Sequence, residues 1–154
     1  DIEFFIVGDG IEKKAMMDKT AELELDNVRF LGMQPKSVYP YVVAACDIGI
    51  VTLNYKVQTP VVPSKILSLM SAARPVLASM RLSGDAPKLI ANAGCGICIG
   101  PDDPQGLNLA IRKMADDKTL LEQFGKNGRD FVVKEMSLEK SISDLEMIFS
   151  KVIN

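Results

Sequence analysis

The sequence contains no histidine, so neither a Ser-His-Asp triad nor a Cys-His pair can work within this chain. What remains is a chemistry of backbone N–H groups, hydroxyls, lysines and arginines, which suits holding an anion better than cleaving a bond. Val62-Pro63-Ser64-Lys65-Ile66 has this character most clearly. A Pro and a Ser ahead of an apolar helical run are start signals, and Ser64 is predicted to cap the helix by accepting a backbone hydrogen bond. The plainer reading stops there. The functional reading adds that a helix N-terminus carries free N–H groups and a partial positive charge, to which Lys65 adds a full one; together they suit a diphosphate. Gly8-Asp9-Gly10 is the second candidate. Glycine lets the backbone approach a ligand closely, and a turn from strand to helix can aim N–H groups at phosphate. Lys13 stands where a dinucleotide fingerprint needs its third glycine, so the NAD reading is weak; a simple tight turn is the alternative.

Other residues carry less. Cys95-Gly96-Ile97-Cys98 has the spacing of a redox or zinc pair, but no second pair exists. Its place on a predicted strand also turns residues three apart to opposite faces. Small, buried, inert thiols are expected. Arg81 and Lys88 could each reach an anion, or be solvated surface charges. Asp9 and Asp85 are candidate acids by position alone and form no convincing pair across a scissile glycosidic bond. Nothing in the sequence calls for a metal or another cofactor.

These residues must be positioned by the elements around them. Strands are predicted at Glu3 to Val7, Val28 to Leu31, Asp47 to Val51, Pro75 to Ala78 and Gly96 to Ile99. Helices are predicted at Ile11 to Leu25, Lys36 to Ala45, Ser64 to Ala73 and Asp85 to Ala93. Three more close the chain at Pro104 to Asp116, Lys118 to Lys134 and Leu138 to Ile153, with Asp116-Asp117-Lys118 as a cap and turn. Short apolar strands alternating with helices indicate an α/β fold with a Rossmann-like parallel sheet covered by helices on both faces. Ligands in such folds sit at the carboxyl ends of the strands. The loops there are Gly8 to Gly10, Gly32 to Pro35, Leu53 to Ser64 and Ser79 to Asp85.

Composition sets the outer limits. Of 154 residues, 47% are hydrophobic and 25% charged, an ordinary balance for one globular domain. A net charge of −2 argues against a protein built mainly to hold nucleic acid. Three cysteines, an odd number, fit a reducing compartment better than a disulfide scaffold. No apolar run reaches membrane-spanning length. The chain opens on a strand at Asp1 without Met or leader, as expected of an excised piece.

The order of these motifs resembles glycosyltransferase family 4. The series runs through Phe5-Ile6-Val7-Gly8-Asp9-Gly10, Asn27-Val28-Arg29-Phe30-Leu31-Gly32 and Ala45-Cys46-Asp47-Ile48-Gly49-Ile50. It continues with Val62-Pro63-Ser64-Lys65, Arg74-Pro75-Val76-Leu77-Ala78, Ala93-Gly94-Cys95-Gly96, Pro101-Asp102-Asp103 and Gly125-Lys126-Asn127-Gly128-Arg129. The resemblance implies one half of a GT-B fold: a single C-terminal nucleotide-sugar-binding domain over residues 1–154, short of its first strand and helix. It implies a retaining enzyme whose donor is a nucleoside diphosphate sugar, a UDP-sugar for preference. The acceptor would be lipid-linked or a saccharide, met on an N-terminal domain of the same full-length chain. Gly8, Asp9 and Gly10 would then line the donor cleft, Gly32 and Met33 would approach the nucleobase, and Pro63, Ser64 and Lys65 would lie over the diphosphate and sugar. Family members carry a pair of glutamates at the positions held here by Pro60 and Ser68. The first usually faces the reacting sugar and the second grips the ribose. Their absence leaves the catalytic residues unassigned and casts Ser68 as a ribose contact. The Pro-Ser-Lys form resembles a subgroup that builds bacterial surface polysaccharides, fucosamine transferase-like enzymes among them.

The resemblance places the protein in the cytoplasm, peripheral to the inner membrane. It also has the last helix cross onto the acceptor domain, leaving Leu145, Ile148, Phe149 and Val152 either as an apolar rim for that domain or packed on their own. Two other functions stay open: half of a sugar-nucleotide epimerase, or a nucleotide-binding regulatory domain with no activity.

Overall fold

A computed structural model describes residues 2–153, and the described chain divides between Pro40 and Tyr41 into two compact units. In the first, β1 (Phe4–Val7) pairs in parallel with β2 (Val28–Leu31), Phe4 beside Val28 and Val7 beside Leu31. The crossover is α1 (Lys13–Glu22). It is shorter than the predicted Ile11 to Leu25 at both ends. A turn precedes it, Lys13 N–H donating to the Gly10 carbonyl at 3.1 Å, and Glu24 ends it in the left-handed region at φ 52°. No described residue of this unit is buried.

The second unit holds a three-stranded parallel sheet in the order β3 (Gly49–Thr52), β4 (Val76–Ser79), β5 (Gly96–Ile99). All four residues of the central strand β4 are buried. Val76 and Ala78 belong to the main core with Ile66, Met70, Met80 and Ile90. Strand alternation turns Leu77 to the opposite face, where it is just as buried. Helix α3 (Ser64–Ser71) packs on β3 and β4, α4 (Asp85–Ala93) on β5, and α5 (Pro104–Ala115) on β4 and β5; α6 (Lys118–Glu135) lies against α3, α4 and α5. The fold class is thus the expected one, α/β with parallel sheets flanked by helices, the pairing falling into a sheet of two strands and a sheet of three.

Helix ends are set locally. Asp103 accepts from Gly106 N–H at 2.8 Å to cap α5, and Asp117 accepts from Leu120 N–H at 2.9 Å to cap α6. Three helices close with the same pair of backbone bonds around a left-handed residue, the Schellman pattern. The closing residues are Glu24 after α1, Ala73 after α3 and Gly94 after α4. Helix α2 (Tyr39–Ala45) starts later than the predicted Lys36, because Val38 and Tyr39 N–H both fold onto the Pro35 carbonyl in a preceding turn. Strand β3 ends one residue later than predicted, its register set by Gly49 beside Val76.

Helix α6 binds the second unit together. A Cβ on Gly125 would stand 2.3 Å from the Ala73 carbonyl oxygen, so only glycine allows this approach to the end of α3. Within the next turn, Asn127 Nδ2 donates to the Gly94 carbonyl at 2.9 Å and Arg129 Nη1 to the Ser71 carbonyl at 2.7 Å. One helix thereby satisfies carbonyls at the ends of two others. Helix α7 (Leu138–Ile153) follows, with Leu145, Ile148, Phe149 and Val152 all exposed. No described helix is long and apolar enough to cross a membrane.

Candidate functional site

In the second unit the loops leaving β3 and β4 frame a pocket of about 100 Å3. The β3 loop contributes Val57, Gln58, Thr59, Pro60 and Val61, and the β4 loop contributes Arg81, Ser83 and Gly84. It lies at the carboxyl ends of parallel strands, where α/β folds bind ligands. The signal for it in the sequence is the long loop with two prolines; the identity of its lining residues was not readable there.

The start of α3 follows the same loop. Pro63, extended at φ −58° and ψ 130°, takes the N-cap position, and Ser64 becomes the first helical residue. The predicted cap is therefore corrected: no side chain caps this helix. A residue already inside the helix cannot fold its hydroxyl back onto the N–H groups ahead of it as a residue just outside can. The N–H groups of Ser64 and Lys65 are left without partners among the described residues. Lys65 is exposed and forms no ion pair among them. Ser68, one turn on, donates its hydroxyl to the Ser64 carbonyl at 3.2 Å, which leaves only its acceptor lone pairs for a ligand. Pro63, Ser64, Lys65 and Ser68 thus lie at the N-terminal end of α3, where the helix carries its partial positive charge.

The first unit treats its candidates differently. Gly8 needs its glycine, at φ 132°. Its N–H is already given to the Leu31 carbonyl at 3.1 Å, and its carbonyl accepts Lys13 Nζ at 2.9 Å. Gly10 N–H is held by the Asp9 carboxylate at 2.9 Å. The N–H groups of Gly8 and Gly10 are thus engaged within the unit, and the Asp9 carboxylate stands in the turn. The parallel register, Val7 beside Leu31, with the Gly8 N–H bond to Leu31, carries Gly8 alongside Gly32. Gly32 and Met33 are exposed, and the Gly32 carbonyl accepts Gln34 Nε2 at 3.0 Å.

The three cysteines are free thiols, Cys95 buried and Cys46 and Cys98 partly so. Burial pushes the thiols of Cys95 and Cys98 up to about 11, and at Cys95 the neighbouring Cys98 adds to the rise. Cys46 is also raised, by burial that the Arg74 charge only partly offsets. No group of three or more metal-ligating side chains occurs among the described residues. Asp85 is engaged by Lys88 at 3.4 Å.

Residues 1–131 match the family described as glycosyl transferases group 1. Over 118 residues the chain is 31% identical to a probable glycosyltransferase, WbjE, of Pseudomonas aeruginosa, covering 73% of this chain and 28% of that protein. HepE of Anabaena, solved in complex with UDP, superposes with a TM-score of 0.77 at 20% identity over 97% of this chain and 41% of its own. The C-terminal domain of LpcC, a group 1 family glycosyl transferase of Francisella tularensis, superposes with a TM-score of 0.64 at 21% identity, covering 82% of this chain and 63% of that domain. These likenesses give the α/β fold of GT-B-type glycosyltransferases. The chain belongs to the glycosyl transferases group 1 family, and it spans less than a third of the length of WbjE.

Proposed function

We propose that this chain is the C-terminal, donor-binding domain of a retaining glycosyltransferase, lacking the first strand and helix of that domain, and that its ligand is a nucleoside diphosphate sugar. The observation that carries the reading is the bare start of α3: two unpartnered N–H groups and an unpaired Lys65 at the end of the long loop after β3. A diphosphate supplies the acceptors and the negative charge that this turn lacks. The UDP bound by HepE supports a uridine donor. Family membership supports sugar transfer, and the resemblance to family 4 supports retention and a role in bacterial polysaccharide synthesis. Gly32 and Met33, exposed after β2, are assigned to the nucleobase. The acceptor is a lipid-linked or free saccharide met by an N-terminal domain, at the cytoplasmic face of the inner membrane.

Calorimetric titration with UDP, GDP, ADP and TDP tests this. One diphosphate binds saturably, and the Ser64→Ala, Lys65→Ala double variant weakens it by about 1.5–3 kcal/mol, the range for charge-assisted hydrogen bonds. Equal affinity in the double variant would remove α3 from the site.

A further inference from the structure

The diphosphate reading gives no role to the pocket framed by the loops after β3 and β4. We propose that this pocket is a carboxylate subsite with Arg81 as its cation, and that the sugar of the donor is acidic, of the hexuronate class. The second part rests on the nucleotide-sugar reading above; the first does not. Leu53, Val57, Pro60, Val61, Met80 and Pro87 give apolar walls, and polar groups make up about half of the lining surface. The polar groups are Gln58, Thr59 and Ser83, and Arg81 is the one ionisable residue among the lining residues. Arg81 makes no ion pair or side-chain hydrogen bond among the described residues, and the acid nearest along the chain, Asp85, is taken by Lys88. Arg81 is exposed at the pocket, and a guanidinium that no acid engages is free to meet the anion of a ligand. Its planar fork matches a carboxylate with two parallel hydrogen bonds, a geometry that neutral hydroxyls do not offer.

Size points the same way. Pockets that enclose a whole ligand run to roughly 300–1,000 Å3. About 100 Å3 takes a substituent instead. Val61, on its wall, lies three residues before Ser64, so the pocket adjoins the start of α3 along the chain. No residue of the pocket is acidic, so nothing there repels a carboxylate.

Met80 lines the pocket and is 2% exposed, and its methyl serves as a reporter. In 13C-methyl-methionine spectra of this chain, assigned with Met80→Leu, millimolar glucuronate shifts the Met80 signal saturably and glucose does not. Arg81→Leu abolishes the shift, and Arg81→Lys, which keeps the charge but loses the fork, weakens it by about tenfold. Calorimetry then compares UDP, UDP-glucose and UDP-glucuronate. UDP-glucuronate binds about tenfold more tightly than UDP-glucose, and Arg81→Leu removes that gain while leaving UDP unchanged. An equal response to glucose and glucuronate, or none to either, overturns the subsite. Equal weakening of all three nucleotides by Arg81→Leu overturns it too, by placing Arg81 on the diphosphate. If glucuronate acts through Arg81 but UDP does not bind, the subsite stands and the donor reading falls. If UDP binds and its glucuronate shows no advantage, the donor reading stands and the acidic-sugar class falls.

Discussion

At Ser64 the proposed contact with a diphosphate is separable from any part in folding. Its hydroxyl caps nothing, so Ser64→Ala changes stability by less than about 0.5 kcal/mol, as for surface positions generally. Asp103 and Asp117 do cap their helices, and replacing either by Ala costs about 1 kcal/mol; urea denaturation of the three variants measures the contrast. The Asp117 cap was readable because an acid stood directly ahead of a helical pattern. At α3 two start signals stood side by side, and sequence alone does not say which takes the N-cap position. The same limit applies at Gly8-Asp9-Gly10. The pattern announced a turn, but the side chains of Asp9 and Lys13 close on its polar groups, a tertiary detail that spacing does not encode. The thiols yield a prediction in pH. Cys95 and Cys98 lose their protons near 11 in the folded chain and near 8.5 once unfolded. Above that lower value the unfolded state binds fewer protons, so their contribution to stability is complete below about pH 8.5 and falls as pH rises toward 11. Denaturation across that interval shows the decline, and alkylation of both thiols is slow at neutral pH.

At the scale of the element, helix ends decide most of what can be changed. The left-handed closing position after α3 is filled by Ala73, where a Cβ costs about 1–2 kcal/mol. Glycine there removes that strain but adds freedom to the unfolded chain, worth about 0.4–1 kcal/mol. Ala73→Gly therefore stabilises by about 0.5–1 kcal/mol, seen as a raised denaturation midpoint. Gly125→Ala acts in the opposite sense, since its methyl would meet the Ala73 carbonyl oxygen at 2.3 Å, and it costs about 1–3 kcal/mol or more. Gly128→Ala is milder, its nearest contacts being side-chain carbons of Cys95 and Met70 at 3.1 and 3.3 Å. The existence and order of the elements were legible from alternating apolar runs and turn residues. The roles of Gly125 and Gly128 were not, because both lie inside a helical pattern whose purpose appears only when α6 meets α3.

Over the whole molecule, stability is unevenly distributed. The buried core is held by the second unit, around β4, while no described residue before Pro40 is buried. Amide hydrogen exchange is accordingly slowest in β4 and the helices packed on its sheet, and faster by orders of magnitude in β1, β2 and α1. Comparable protection in both would contradict this. Fold class and family were both within reach of the sequence, since a run of individually weak motifs in fixed order is harder to meet by chance than any one of them. The two loops at the sheet edge and Arg81 as a candidate anion contact were legible, but their closing on one pocket was not, because it depends on how the loops after β3 and β4 fold over that edge. The clasp made by α6 has a consequence for the order in which the molecule is made. The last strand of the sheet is complete once Ile99 has been joined to the growing chain. The carbonyls of Ser71 and Gly94 must wait for Asn127 and Arg129. At synthesis rates of about 5–20 residues per second, the nascent sheet spends a few seconds finished in sequence and open in structure. In that interval its unmet carbonyls and uncovered apolar face are available to a chaperone or to another nascent chain.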